Sequence, residues 1–271
     1  MNNKNKLTGS QTQPYKQTNF DRIIDNTFVM VYRVLLKMLR TPEQFIDVTI
    51  QPIVFILMFS YVFGGAIAGN VRNYLPFLIP GILVQTLIGS SMVTGTQLRD
   101  DMDKGVFDRF RSLPITRIAP LAGSVIADII RYAIATTITF ATGIIIGFKP
   151  YGGVFGVLSA GLLVIFVSWS ISWIFAYIGV IANSAESLQG ISFLILMPLT
   201  FLSNAFAPIN SFPKIMRWIA NANPITHVVS AARQLTNHGT ICTDFWLALL
   251  GSFLIISIFA PLTLNAYMKK T

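Results

Sequence analysis

Cysteine is almost absent from this chain of 271 residues. The single one, Cys242, excludes an intrachain disulfide. Histidine is nearly as scarce: His227 and His238 are too few for a zinc site of the HExxH kind, and no Cys/His cluster or GxSxG sequence occurs. The dipeptide Gly-Lys is missing. That excludes the phosphate loop G-x-x-x-x-G-K-[ST], in which backbone amides and a lysine surround the phosphates. No catalytic constellation remains, so the chain reads as a non-enzyme with no directly bound cofactor or metal. Charge is scarce as well: 11% of residues are Asp, Glu, Lys or Arg, against about 25% in soluble domains.

What replaces charge is apolar length. The chain is 53% hydrophobic with 21 Phe, and its mean hydropathy is +0.63. These values describe an integral membrane protein rather than a large soluble core. The net charge of +9 sits in short segments between apolar runs. That placement suits topology signals facing anionic lipid and argues against a nucleic-acid partner.

A helix needs about 20 apolar residues to cross a bilayer. Six stretches qualify: 45–66, 75–96, 121–148, 154–181, 188–207 and 245–267. The fifth is the weakest, because it carries Pro198 and trails into Phe206-Ala207-Pro208. With six spans, the N-terminal segment, the loop between spans two and three and the C-terminus share one side and hold fourteen Lys and Arg; the opposite side holds five. The positive-inside rule then puts both termini in the cytoplasm. Residues 1–20 are polar, lack the apolar core of a signal peptide and read as a disordered tail. Residues 21–271 read as one all-α membrane domain.

Before the first span, Ile24, Phe28, Val31, Leu35 and Met38 fall on one helical face, and Arg22, Arg33, Lys37 and Arg40 fall opposite. This predicts an amphipathic helix in the membrane interface, or one packed on a partner. Residues 208–244 predict two short helices meeting at Asn223-Pro224. Within the spans, Asp128 and Arg131 stand at i, i+3, as a substrate or proton relay or as a self-neutralising pair. Asp47 and Gln51, one turn apart at the start of the first span, suit interfacial anchoring or helix–helix hydrogen bonds.

The densest charge is an island, Arg99 to Arg117, flanked by apolar runs. Val106, Phe107, Phe110 and Leu113 follow i, i+1, i+4, i+7, while Asp108, Arg109, Arg111 and Ser112 fill the other positions before Pro114. This is a short amphipathic helix whose phenylalanines need the membrane surface or a partner's groove. The acidic Asp100, Asp101 and Asp103 precede Lys104-Gly105 and suit the positive end of such a helix.

The stretch DDMDKGVFDRFRSLPITR closely resembles the cytoplasmic signature of ABC type-2 transporter permeases, the membrane subunits of ATP-binding-cassette exporters. Further matching stretches are PEQFIDVTIQPIVFILMFSYVFGG, YLPFLIPGILVQT, LQGISFLILMPLTFLSNAFAPI and ANPIT. The likeness covers roughly residues 33–235 and is strongest toward the daunorubicin-resistance branch. It implies a half-transporter: a second permease chain completes the path, and a separate subunit supplies ATP and magnesium. It also implies that residues 100–112 form a coupling helix on the ATPase, that the N-terminal amphipathic segment is a connecting helix, and that Asn223-Pro224 belongs to an extracellular re-entrant hairpin. The second and fifth spans would line the path. The implied cargo is a hydrophobic or amphiphilic drug, antimicrobial or lipid-like molecule; related permeases carry lipid-linked polysaccharide. An ion-coupled secondary carrier using Asp128 and Arg131 is the rival from another class.

Overall fold

A computed structural model describes residues 19–106 and 118–270. Among the described residues the chain forms nine α-helices, one short 3-10 turn and no strand: α1 (Asn19–Arg40), α2 (Pro42–Ala68), α3 (Val71–Asp103), α4 (Ala119–Ile146), α5 (Gly153–Ile181), α6 (Ala185–Phe201), α7 (Lys214–Ala222), α8 (Pro224–His238) and α9 (Thr243–Lys270). The tail assigned to residues 1–20 lies outside the described residues up to 18, and α1 already begins at Asn19. The remainder of that tail therefore belongs to a helix.

Five helices, α2, α3, α4, α5 and α9, are long and apolar enough to cross a membrane. Their boundaries follow local chemistry. Pro42 opens α2, where its missing N–H is not needed. The side chains of Asn70 and Ser184 accept from the N–H groups of Asn73 and Ser187, capping α3 and α6.

The helix α3 is the axis of the bundle. It packs against α2, α4, α5, α6 and α8, and 72% of its apolar window is buried, against 17% for the peripheral α9. It meets α5 backbone to backbone. A Cβ on Gly95 would stand 2.2 Å from the Phe175 carbonyl oxygen, and one on Gly179 2.4 Å from that of Gly95. Small residues permit this approach, and membrane helices gain van der Waals contact by it.

The fifth apolar stretch ends earlier than its composition predicts. α6 stops at Phe201, not at Ala207, and its 17 residues reach about 26 Å at 1.5 Å per residue. Ser203 causes the break locally: its hydroxyl donates to the Thr200 carbonyl at 2.6 Å and accepts from the Ala205 N–H at 3.2 Å. Side-chain bonds of this kind compete with the helix. The unwound chain is buried against α3 at Gly81, where any Cβ would lie 2.1 Å from the Ala205 carbonyl oxygen.

The amphipathic α1 also differs from its helical-wheel reading. Met30, Val31, Val34 and Met38 are buried, with α4 as the main neighbour, whereas Phe28, Tyr32 and Leu39 remain 61–69% exposed. Val31 and Met38 thus leave the face shared with Phe28. The apolar sector is wide enough to serve two environments, the helix's own protein and an outer apolar medium.

Candidate functional site

Three elements of the described residues are candidates for the functional chemistry: the charged end of α3, a buried polar cluster, and a groove beside α3.

The charged end differs in register from a single helix over 100–112. Nothing between Leu98 and Asp103 breaks the helix, so α3 runs through Asp100 and Asp101 to Asp103, with Lys104 as its C-cap. Gly105 turns the chain with φ 62°, a left-handed conformation suited to glycine, and helix resumes at Val106. Phe107, Asp108, Arg109, Phe110 and Arg111 lie outside the described residues.

The three aspartates therefore sit at a helix C-terminus, where the macrodipole opposes them. Cations offset this. Lys37 Nζ lies 3.0 Å from Asp101 Oδ1 and 4.0 Å from Asp100 Oδ2, and Arg33 Nη2 lies 3.6 Å from Asp101 Oδ2. Lys104 Nζ is 2.7 Å from Asp100 Oδ2, and the Asp100 carboxylate holds the Lys104 ammonium above the usual lysine range. Arg99 donates through Nε to both Asp103 oxygens at 3.0 and 3.1 Å and through Nη1 to the Ala182 carbonyl at 2.8 Å. The basic face of α1 thus meets the acidic end of α3 rather than facing outward alone.

The pair Asp128–Arg131 is closed at 2.6 Å, with side chains 0% and 4% exposed. Thr94 on α3 donates to Asp128 Oδ2. The neighbouring Tyr132 hydroxyl lies 2.7 Å from Ser172 Oγ on α5, and Arg131 Nη1 is buried without a hydrogen-bond partner. The cluster therefore ties α3, α4 and α5 together at membrane depth. The pair is self-neutralising, and a buried charge is tolerated only on such terms.

The groove lies between α2, α3 and α6 and encloses about 520 Å³. Its lining mixes aromatics with amides and hydroxyls: Phe55, Phe193, Phe206, Gln51, Gln85 and Thr200. Phe206 stacks on Phe59 at 4.5 Å, and Gln85 Oε1 has no hydrogen-bond partner. A largely apolar concavity with a few polar groups suits an amphiphile. Gln51 stands in the groove, while Asp128 and Arg131 belong to the separate cluster. Asp47 lies on α2, one turn before Gln51. Gln85 and Thr200 escaped the sequence reading; their signal is polarity inside otherwise apolar spans.

At one end of the bundle α7 and α8 meet at Asn223-Pro224. Asn223 Oδ1 accepts from the Ile225 N–H at 2.9 Å, and its amide donates to the carbonyls of Leu199 and Leu202 at 2.6 and 3.0 Å. One side chain thus caps α8 and satisfies the frayed end of α6. Arg233 on α8 clamps the same region. Its guanidinium donates to Phe77 O at 3.0 and 3.2 Å and to Asn204 O at 2.9 Å, and lies 3.8 Å from the Phe77 ring centroid. Burial pulls the Arg233 pKa down to about 10.

Residues 25–236 match the family described as ABC-2 type transporter. The chain is 41% identical to the daunorubicin resistance ABC transporter permease protein DrrB1 of Streptomyces coeruleorubidus, over 91% of this chain and 87% of that protein. It is 27% identical to the putative transport permease ycf38 of Cyanophora paradoxa, over 80% of this chain and 76% of the relative. Against the probable doxorubicin resistance ABC transporter permease protein DrrC of Mycobacterium tuberculosis (strain ATCC 25618 / H37Rv), identity is 21% over 84% and 83%. The resemblance carried by the charged island is therefore matched along most of the chain, which belongs to the ABC-2 type transporter family.

Proposed function

We propose that this chain is the membrane permease of an ATP-driven exporter that moves hydrophobic or amphiphilic drug-like molecules out of a bacterial cell. ATP and magnesium are held by a separate ATP-binding subunit, which docks on the island 100–112. The observation that carries this reading is the groove between α2, α3 and α6, built of aromatics and the side-chain amides of Gln51 and Gln85 beside the helix that ends in that island. The 41% identity to a daunorubicin resistance permease supports the drug class.

In this reading α6 is the fifth of six spans, both termini are cytoplasmic and Asn223-Pro224 forms an extracellular re-entrant hairpin. The short α6 crosses with the help of the hairpin that packs on its end. Phe193, Leu194 and Met197 on α6 are 45–74% exposed, an apolar face that a second permease chain would cover. A homodimer then encloses the substrate path between two grooves.

The test is ATP-driven drug uptake into inside-out vesicles holding the chain and its ATP-binding subunit, where export appears as accumulation in the lumen. Uptake should stop with a hydrolysis-dead ATP-binding subunit. Transport that survives ATP depletion and follows a proton or ion gradient would instead establish the secondary carrier using Asp128 and Arg131.

A further inference from the structure

A second cavity lies on the other side of α6, away from the amide-lined groove. It is an apolar slot bounded by α5, α6, α8 and α9, of about 270 Å³. Of its lining residues only His227 and Ser252 carry polar side chains. Both are occupied: Ser252 Oγ donates to the Ala248 carbonyl at 2.8 Å, and His227 Nδ1 lies 2.7 Å from Asp244 Oδ1. The slot therefore offers a ligand almost nothing but hydrocarbon contact.

Its dimensions select among occupants. Along α5 the lining runs from Val167 to Ile178, about 16 Å at 1.5 Å per residue. That is close to half of the ~30 Å hydrocarbon core, the depth of one leaflet. Spread over this length, 270 Å³ makes a channel roughly 5 Å across, too narrow for a helix of 10–12 Å. Water is excluded too, because an apolar cavity stays dry.

A second observation concerns Gly251, in the first third of α9. A Cβ on Gly251 would meet nothing within 4 Å, as at Gly65, Gly89 and Gly190, but of these glycines only Gly251 lines the slot. Glycine here costs the helix about 1 kcal/mol relative to alanine, and no packing contact requires it. What its missing side chain preserves is the width of the slot.

We infer that the slot binds one acyl chain of a bilayer phospholipid, held lengthwise between α6 and α9. The inference rests on the reading of these helices as membrane spans. The bound chain would stand as a packing partner for α6, whose buried residues are few: Leu188, Ser192 and Thr200.

The test is photolabelling of the full chain in liposomes containing a phospholipid with a diazirine near the middle of one acyl chain, with adducts mapped by mass spectrometry. Adducts should concentrate on Ile171, Ile174 and Leu247, above the level at Ile144 and Ile145, exposed apolar residues of α4. Gly251→Phe, whose ring would fill the space the acyl chain takes, should lower slot labelling about fivefold through lost van der Waals packing, and leave α4 labelling unchanged. Circular dichroism of the variant guards against misfolding, and the smaller Gly251→Leu should give an intermediate loss. Equal labelling of slot and α4, or no change in either variant, would overturn the inference. Loss of slot adducts on adding an anthracycline would reassign the slot to cargo and overturn it as well. Absence of adducts on α4 and slot alike would remove the membrane-span reading itself, and the lipid site with it.

Discussion

Lys37 Nζ lies 3.0 Å from Asp101 Oδ1 and joins the amphipathic helix α1 to the last turn of the central helix α3. Both side chains are partly exposed, so the pair adds little stability: about 0.2–1 kcal/mol is usual for such a contact. Its value is positional, because it fixes α1 to the helix that leads into the charged island.

Lys37→Glu should therefore leave expression and thermal stability nearly unchanged while reducing drug-stimulated ATPase activity of the assembled transporter several-fold. Adding Asp101→Lys to Lys37→Glu should recover much of the loss. ATPase assays on the four variants of this cycle check it; a double variant no better than the singles would refute the link.

If the island docks the ATP-binding subunit as proposed, Phe107→Ala and Arg109→Glu, which alter its amphipathic pattern, should uncouple transport without affecting membrane insertion. Pull-down of the ATP-binding subunit with each variant, together with its ATPase rate, is the measurement. Association and transport both equal to the parent would end the coupling role.

The closed pair Asp128–Arg131 makes an asymmetric prediction. Removing one partner leaves a buried charge alone, so Asp128→Ala should destabilise by about 3–5 kcal/mol. Replacing both with Asp128→Leu and Arg131→Met should cost less than either single change. Thermal unfolding in detergent reports the order. If the pair is a relay, the double variant would be stable but inactive; if it is structural, transport should persist.

The glycines offer a paired contrast. Gly95→Ala drives a methyl group into the Phe175 carbonyl and should destabilise by about 1–3 kcal/mol as an overpacked core does. Gly251→Ala meets open space and should raise stability by up to ~1 kcal/mol through helix propensity. Melting temperatures of the two single variants decide this.

Arg233→Lys keeps the charge but loses the fork that serves two carbonyls. A buried acceptor left unsatisfied costs about 1–3 kcal/mol, so the variant should melt lower and Arg233→Met lower still.

Sequence pattern reveals the parts of this protein that are local. The long helices follow from apolar runs and their caps, and the Asn223 junction from Asn-Pro. The early end of α6 was hidden because Phe206 and Ala207 are as apolar as a span. The Ser203 hydroxyl bonds and the close approach to Gly81, on another helix, show why the chain there packs unwound. For α1, periodicity identifies apolar faces but cannot distinguish α4 from a bilayer, since both bury the same side chains. Arg233 carries no local sign of its partner Phe77, which lies 156 residues away. The groove was half legible: likeness to the family implied the second and fifth spans, and Gln51 was noted, while Gln85 and Thr200 acquire meaning only from the helices that face them.

The crossing of α3 and α5 at Gly95 divides α3 unequally. From Gly95 to Asp103 is about 12 Å of helix, and from Gly95 back to Val71 about 36 Å, at 1.5 Å per residue. If α3 tilts as a rigid rod about that crossing, it is a lever with arms of about one to three. Spin labels at 71 and 103 would register the ratio. A displacement of one ångström imposed beside the charged island would then appear as about three at the far mouth of the bundle.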